Sequence, residues 1–257
     1  MNWKTFLAIL ARDAHVARRN FVALLFQTFL QPLMFVFIFG RVMVGSGYMP
    51  ESYKSLLLPG IMAICMVGTG IWAVAMPLIA EFQFTHEIED RLLAPMDISW
   101  LAVEKVVAGT LQSLAAGLMV IPAAWLLLRP GVDLRVPHPV LFAAVALLVA
   151  LFSATGGLAL GCSMQQTHIG LMFSLIVAPM IFFGCTYYPW SALQKFPVLQ
   201  KAVLVNPLVY ASEGLRATLV PQFPDHLPLL AVLAALVFFN LLLFMMGLRK
   251  FYGKAVS

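Results

Sequence analysis

Charge is what this chain has least of. Only 11% of its 257 residues are Asp, Glu, Lys or Arg, while 62% are hydrophobic and the mean hydropathy is +0.94. A water-soluble domain carries about twice that share of charge. So few solvated groups cannot cover a surface in water, which makes this an integral membrane protein. Cysteine is scarce as well. Cys65, Cys162 and Cys185 form an odd, scattered set in or beside apolar runs. That excludes a disulfide framework and leaves small buried hydrophobes. The histidines show no ligand spacing, and His86-Glu87-Ile88-Glu89-Asp90 lacks the second histidine of a zinc-protease helix. Neither a G-x-S-x-G elbow nor a G-x-x-x-x-G-K-[ST] phosphate loop occurs. No catalytic, metal or cofactor residue is therefore assigned, and the chain is not read as an enzyme. If ATP drives it, another polypeptide must bind the nucleotide. The middles of the apolar runs carry almost no charge, which argues against an ion- or proton-coupled carrier. A net charge of +5 is modest, and no nucleic-acid partner is expected.

What is present is a series of long apolar runs. A crossing helix needs about 20 apolar residues. Six segments meet that length, at roughly 22–44, 56–80, 100–128, 139–162, 169–188 and 227–247. Helices satisfy their own backbone groups in lipid, so all six are read as helical, in one transmembrane domain over 1–257. An even number of crossings puts both termini on one side. Arg18-Arg19 precede the first run and Arg249, Lys250 and Lys254 follow the last, which places both ends in the cytoplasm. Residues 1–20 carry Trp3, Phe6, Leu7 and Leu10 on one helical face and Lys4, Arg12, His15 and Arg19 on the other. Such a helix is suited to lying on a membrane surface. Glu104 and Lys105 fall in the first turns of the third run, where both could snorkel to the interface. Gly157 and Gly161 form a G-x-x-x-G pair that admits a close neighbour, either in the same chain or in a second copy.

The connector between the fifth and sixth runs is long but not simply polar. SALQKFPVLQKAVL (191–204) and LVYASEGLRATL (208–219) both read as short amphipathic helices, broken at Asn206-Pro207. Apolar faces there predict that 189–222 packs on the spans or dips back into the membrane as a re-entrant pair. Glu213 and Arg216, three residues apart, can pair on one face, with an ordinary surface ion pair as the alternative.

Acids gather in one place. EFQFTHEIEDRLLAPMD (81–97) holds Glu81, Glu87, Glu89, Asp90 and Asp97, from a total of 11 acids in the chain. It can form about three helical turns before Pro95, with Phe84, Ile88, Arg91 and Leu92 on one side. Composition leaves two readings open: a docking knob for a soluble partner, or a solvated loop that acids keep out of lipid.

The order of features resembles the membrane subunits of ABC-2 type transporters, the permeases of ABC export systems. A basic interfacial helix is followed by two spans and then by Glu89-Asp90-Arg91-Leu92-Leu93-Ala94-Pro95. Leu58-Pro59-Gly60 opens the second span. Asn206-Pro207-Leu208-Val209-Tyr210 and Glu213-Gly214-Leu215-Arg216 precede the last. The resemblance covers essentially the whole chain. It implies an all-α permease with six spans, an interfacial helix and a re-entrant pair, set in a bacterial cytoplasmic membrane. It implies two permease copies, here a homodimer, with ATP and Mg on separate ATP-binding cassette subunits. Residues 81–97 would then be the coupling helix. Phe84, Ile88 and Leu92 would enter an apolar cleft of the ATPase, with Glu87, Asp90 and Arg91 at its rim. A substrate path would lie between spans one and five of facing subunits. Gln27, Gln31, Phe35, Met172, Phe173 and Met180 would line it, and Asn206, Pro207, Tyr210, Glu213 and Arg216 would build the re-entrant loop. Such a lining, in contact with membrane lipids, suits export of an amphipathic, lipidic or lipid-linked glycan substrate or a drug. Two other readings stay open, an intramembrane lipid-modifying enzyme and a membrane assembly protein that transports nothing.

Overall fold

Chains this apolar fold as helices because lipid offers no partner to an open backbone group. The computed structural model describes residues 10–12, 30, 32–83, 98–128, 135–164, 166–223 and 225–255, and contains no strand among them. In chain order the helices are α1 (Pro32–Gly45), α2 (Tyr53–Gln83), α3 (Ile98–Leu128), α4 (Pro139–Ser163), α5 (Ile169–Phe182), α6 (Pro197–Ala202), α7 (Pro207–Leu219) and α8 (Leu229–Ala255). Of these, α2, α3, α4 and α8 are long and apolar enough to cross a membrane. The described parts of the first and fifth runs, α1 and α5, are shorter. The interfacial helix expected over 1–20 lies outside the described residues apart from 10–12.

α2 is the hub. It packs against α3, α4, α7 and α1, and α4 packs in turn against α8 and α3. Small residues make the closest crossings. A Cβ added to Gly70 would lie 1.9 Å from Ser153 Oγ, and one on Gly157 would lie 2.8 Å from the Ile71 carbonyl oxygen. Gly161 meets Ala75 in the same way. The G-x-x-x-G pair is therefore spent on a contact inside the chain. Ser153 Oγ donates to Ser113 Oγ at 3.0 Å and Ser113 Oγ to the Met66 carbonyl at 2.8 Å. Hydroxyls thus bind α2, α3 and α4 where their backbones come close. Exposure follows position in the bundle. In α2, 67% of the most apolar stretch is buried inside the chain, against 11% in α8, whose outer side is left for lipid or another subunit.

α2 and α4 run from one end of the bundle, the cap end, to the other, the connector end, and α3 returns. The cap is built from the segment between α5 and α8. The single helix expected over 191–204 is instead a 3-10 turn (Trp190–Lys195), α6, and a second 3-10 turn (Val203–Val205). Pro197 is the reason: it pushes Phe196 off the helical region to φ −126°, ψ 73°. The second expected helix, 208–219, is present as α7. Asn206 caps it by accepting from the Leu208 N–H at 3.0 Å, and Pro207 takes the first helical position.

Candidate functional site

Beneath α7 lies a polar knot with no exposure. Glu213 and Arg216 are both 0% exposed and pair through Oε1 and Nη1. The surface-pair alternative is thereby excluded. Arg216 also donates from Nε to the Leu56 carbonyl at 3.2 Å and from Nη2 to the Cys185 carbonyl at 3.0 Å. One guanidinium thus ties the first turn of α2, the turn after α5, and α7. Glu213 Oε1 accepts as well from the Trp190 N–H at 3.0 Å, which holds the chain entering the cap. The turn under the knot is tight. Cys185 has φ 52°, in the left-handed region that a side chain rarely adopts. A Cβ on Gly60 would stand 1.7 Å from the Thr186 carbonyl oxygen, so only glycine lets α2 pass this turn.

The other expected cap residues join the same structure. Asn206 Nδ2 donates to the Met180 carbonyl at 2.7 Å, fixing the end of α5 to the start of α7. The Tyr210 hydroxyl donates to the Leu204 carbonyl at 2.8 Å, and its ring lies 6.1 Å from that of Phe239 on α8. Burial in this setting raises the Tyr210 pKa. The apolar face expected of the cap is buried too, with Val209 and Leu215 both at 0% exposure.

A second buried ionic site stands at the connector end. Glu81, near the end of α2, accepts from Lys105 Nζ of α3 at 2.8 Å. Both are buried, as is Glu104. The expectation that Glu104 and Lys105 snorkel outward therefore fails. α2 and α3 flank the connector closely enough to enclose these side chains, and Lys105 meets an opposite charge there. Phe82 packs edge-on to Phe251 of α8 at 5.6 Å, with Lys254 Nζ 5.5 Å from the Phe82 ring centroid. The C-terminal charges Arg249, Lys250 and Lys254 thus ride on a helix that runs on to Ala255.

The arrangement is therefore a helical bundle with charges buried at its two ends and hydroxyl contacts at its middle crossing. The family model for the ABC-2 type transporter matches residues 4–220. The chain belongs to the ABC-2 type transporter family. No curated protein and no solved structure matches it. This permease is a transmembrane subunit, not itself catalytic, and its family works with an ABC ATPase subunit.

Residues assigned to coupling and to the substrate path are only partly described. Of 81–97, the connector beyond Gln83 lies outside the described residues, and Phe84, Glu87, Ile88, Asp90, Arg91 and Leu92 with it. Gln27 and Gln31 are also outside. Met172 ends the first turn of α5 and Phe173 opens a π-helical stretch, Phe173–Val177. A second π stretch, Val36–Val42, lies in α1. Among the described residues only these two segments, the ones expected to line a path, contain π-helix. Phe35 is half-buried against Phe39 and Tyr187, with ring centroids 5.9 and 5.0 Å away. The structure thus brings Asn206, Pro207, Tyr210, Glu213 and Arg216 together with Met180 and, through Tyr187, with Phe35.

Sequence reasoning missed the Glu81–Lys105 pair. Its signal was visible: opposite charges at the facing ends of two apolar runs, Glu81 just past the one at 56–80 and Lys105 just inside the one at 100–128. Tyr53 was missed as well. Its hydroxyl donates to the Tyr187 carbonyl at 2.6 Å, and no sequence pattern marks that bond.

Proposed function

We propose that this permease exports an amphipathic, lipidic or lipid-linked substrate, or a drug, from the cytoplasm of a bacterial cell, as one of two copies served by separate ATPase subunits. The observation that carries the reading is the placement of π-helix. It falls in α1 and α5, the two segments assigned to the path, while α2, α3 and α4 form a tight α-helical core. π turns concentrate where a helix serves function at some cost in regularity. Six crossings, both termini in the cytoplasm and a re-entrant cap complete the proposal. The buried cap supports it, since backbone at membrane depth must be covered by protein.

Residues 81–97 act in this reading as the coupling helix. ATP and Mg are held by the partner, and closure of the ATPases moves α2 and α3 together. The Glu81–Lys105 pair at the root of the connector supports that joint motion. Buried apolar anchors carry most interface energy and rim charges mainly set orientation. Ile88→Asp should therefore release an ABC ATPase that copurifies with the tagged wild-type chain, or stop its hydrolysis from responding to transport. Loss of such an anchor costs about 2 kcal/mol or more. Glu87→Gln should do far less. Full retention of ATPase and activity by Ile88→Asp would show 81–97 to be a solvated loop.

A further inference from the structure

α1 has two unlike faces. Phe35 and Phe39, one turn apart, face Tyr187 and the core. On the outward side Leu30, Met34, Phe37 and Ile38 are 59%, 57%, 47% and 43% exposed. With Leu33, and with Leu127 of α3, they line a groove of about 270 Å³ that has no polar wall. Gly40 lets α1 come against Leu128 beside it: a Cβ there would lie 2.4 Å from Leu128 Cδ2.

An arginine stands at the cap end of this groove. Arg41 is exposed and stands four residues after Phe37 in the same π-helical stretch. Its Nη1 donates to the carbonyl of Leu127, itself a groove residue, at 3.0 Å. That bond ties the guanidinium to a residue that lines the groove. It uses one of five N–H donors and leaves a planar fork that matches a phosphate. Arg41 lies near the end of α1 and beside the end of α3, where an interface would fall.

We propose that this groove is a binding site for an anionic phospholipid, with one acyl chain along Leu30, Met34 and Ile38 and the headgroup phosphate on Arg41. Charge complementarity selects this occupant over a neutral lipid. A second copy seated on the groove would have to take this arginine out of water, whereas a phosphate at the interface meets it there. The inference needs only that this face of α1 meets lipid, and it stands apart from the coupling reading.

The test is lipid retention by the full chain, in complex with whatever subunits copurify. Bilayers of equal phosphatidylglycerol and phosphatidylcholine are extracted gently, and bound lipids are counted by native mass spectrometry. The wild type should retain phosphatidylglycerol over phosphatidylcholine by about fivefold, the worth of one arginine near an anionic headgroup. Arg41→Gln should bring that ratio close to one, and Arg41→Lys should keep most of it. Ile38→Trp fills the groove and should lower retention of both lipids, so it decides the matter if Arg41→Gln proves misfolded. Equal ratios in the wild type and Arg41→Gln would overturn the site. So would ready formation of a disulfide between two copies of Ile38→Cys, which would make the groove a contact between subunits.

Discussion

α2 and α1 lie side by side and are built on different terms. Leu57, Leu58 and Ile61 of α2 are fully buried, and its backbone passes within van der Waals reach of Ser153 and Thr186. α1 touches the core along one stripe, turns to π-helix in its middle, and leaves Met34 and Phe37 open. α5 shares that character, with Leu175 70% exposed and a π stretch of its own. Closely packed and open parts are thus separated by helix, not by domain. Packing and buried hydrogen bonds fix α2, α3, α4 and the cap. α1 and α5 carry the π-helix and the open faces, as the proposed path for cargo would require.

Substitutions that attack the fixed part should have the largest effect. Arg216→Met removes three bonds and strands Glu213 as a buried, unpaired charge, which costs about 3–5 kcal/mol. Folded yield and melting temperature in detergent should both collapse. Adding Glu213→Met should restore much of the loss, because an apolar pair needs no desolvation. If the double variant melts no higher than the single one, the knot's backbone contacts matter more than its charge balance.

Gly60→Ala comes next. Its Cβ drives into the Thr186 carbonyl, and overpacking of this kind costs about 1–3 kcal/mol. The cap should loosen with it. An engineered thiol in place of buried Val209 should then react faster in detergent than the same thiol beside Gly60. Unchanged reactivity would mean that the 184–186 turn is free to move aside.

A matched pair of truncations sharpens the contrast between α2 and α1. Leu58→Ala opens a cavity in a fully buried site and should cost about 2 kcal/mol. This is the low end for such a change, since in lipid the transfer term falls away and lost packing remains. Met34→Ala should cost no more than about 0.5 kcal/mol, as expected of an exposed position. Equal losses of melting temperature would show that α1 is as tightly packed as the core.

The smallest effect is expected from pH at the cap. His226 bonds the Val220 carbonyl through Nε2 at 3.1 Å, and burial lowers its pKa below the ordinary value of about 6.5. The unfolded chain then takes up its proton first as pH falls. His226 favours the folded state fully above about pH 6.5 and loses that advantage as pH drops toward its folded pKa. The melting temperature should be slightly lower at pH 5.5 than at 7.5, and His226→Gln should narrow the difference. A gap of the same size in the variant would assign it to other groups.

Much of the fold was legible before the coordinates. The runs read at 56–80, 100–128 and 139–162 became α2, α3 and α4 with shifts of a few residues. Apolar length alone is enough for that. The last helix runs to Ala255 rather than stopping near 247, because basic residues end a hydropathy window without ending a helix. The break at Asn206-Pro207 was legible from backbone sterics. The break at Phe196-Pro197 obeys the same rule and was passed over in favour of an apolar pattern.

Sequence by itself determined that this protein lives in a membrane, that its spans are helices, and that prolines divide the cap. Those properties are local, set by composition and by the backbone of adjoining residues. Tertiary structure alone decided that Glu213 and Arg216 form a buried knot and not a surface pair. Arg216 finds its acceptors on Leu56 and Cys185, 160 and 31 residues away in the chain. Both acceptors are backbone carbonyls, which every residue carries, so no choice of side chain could announce them.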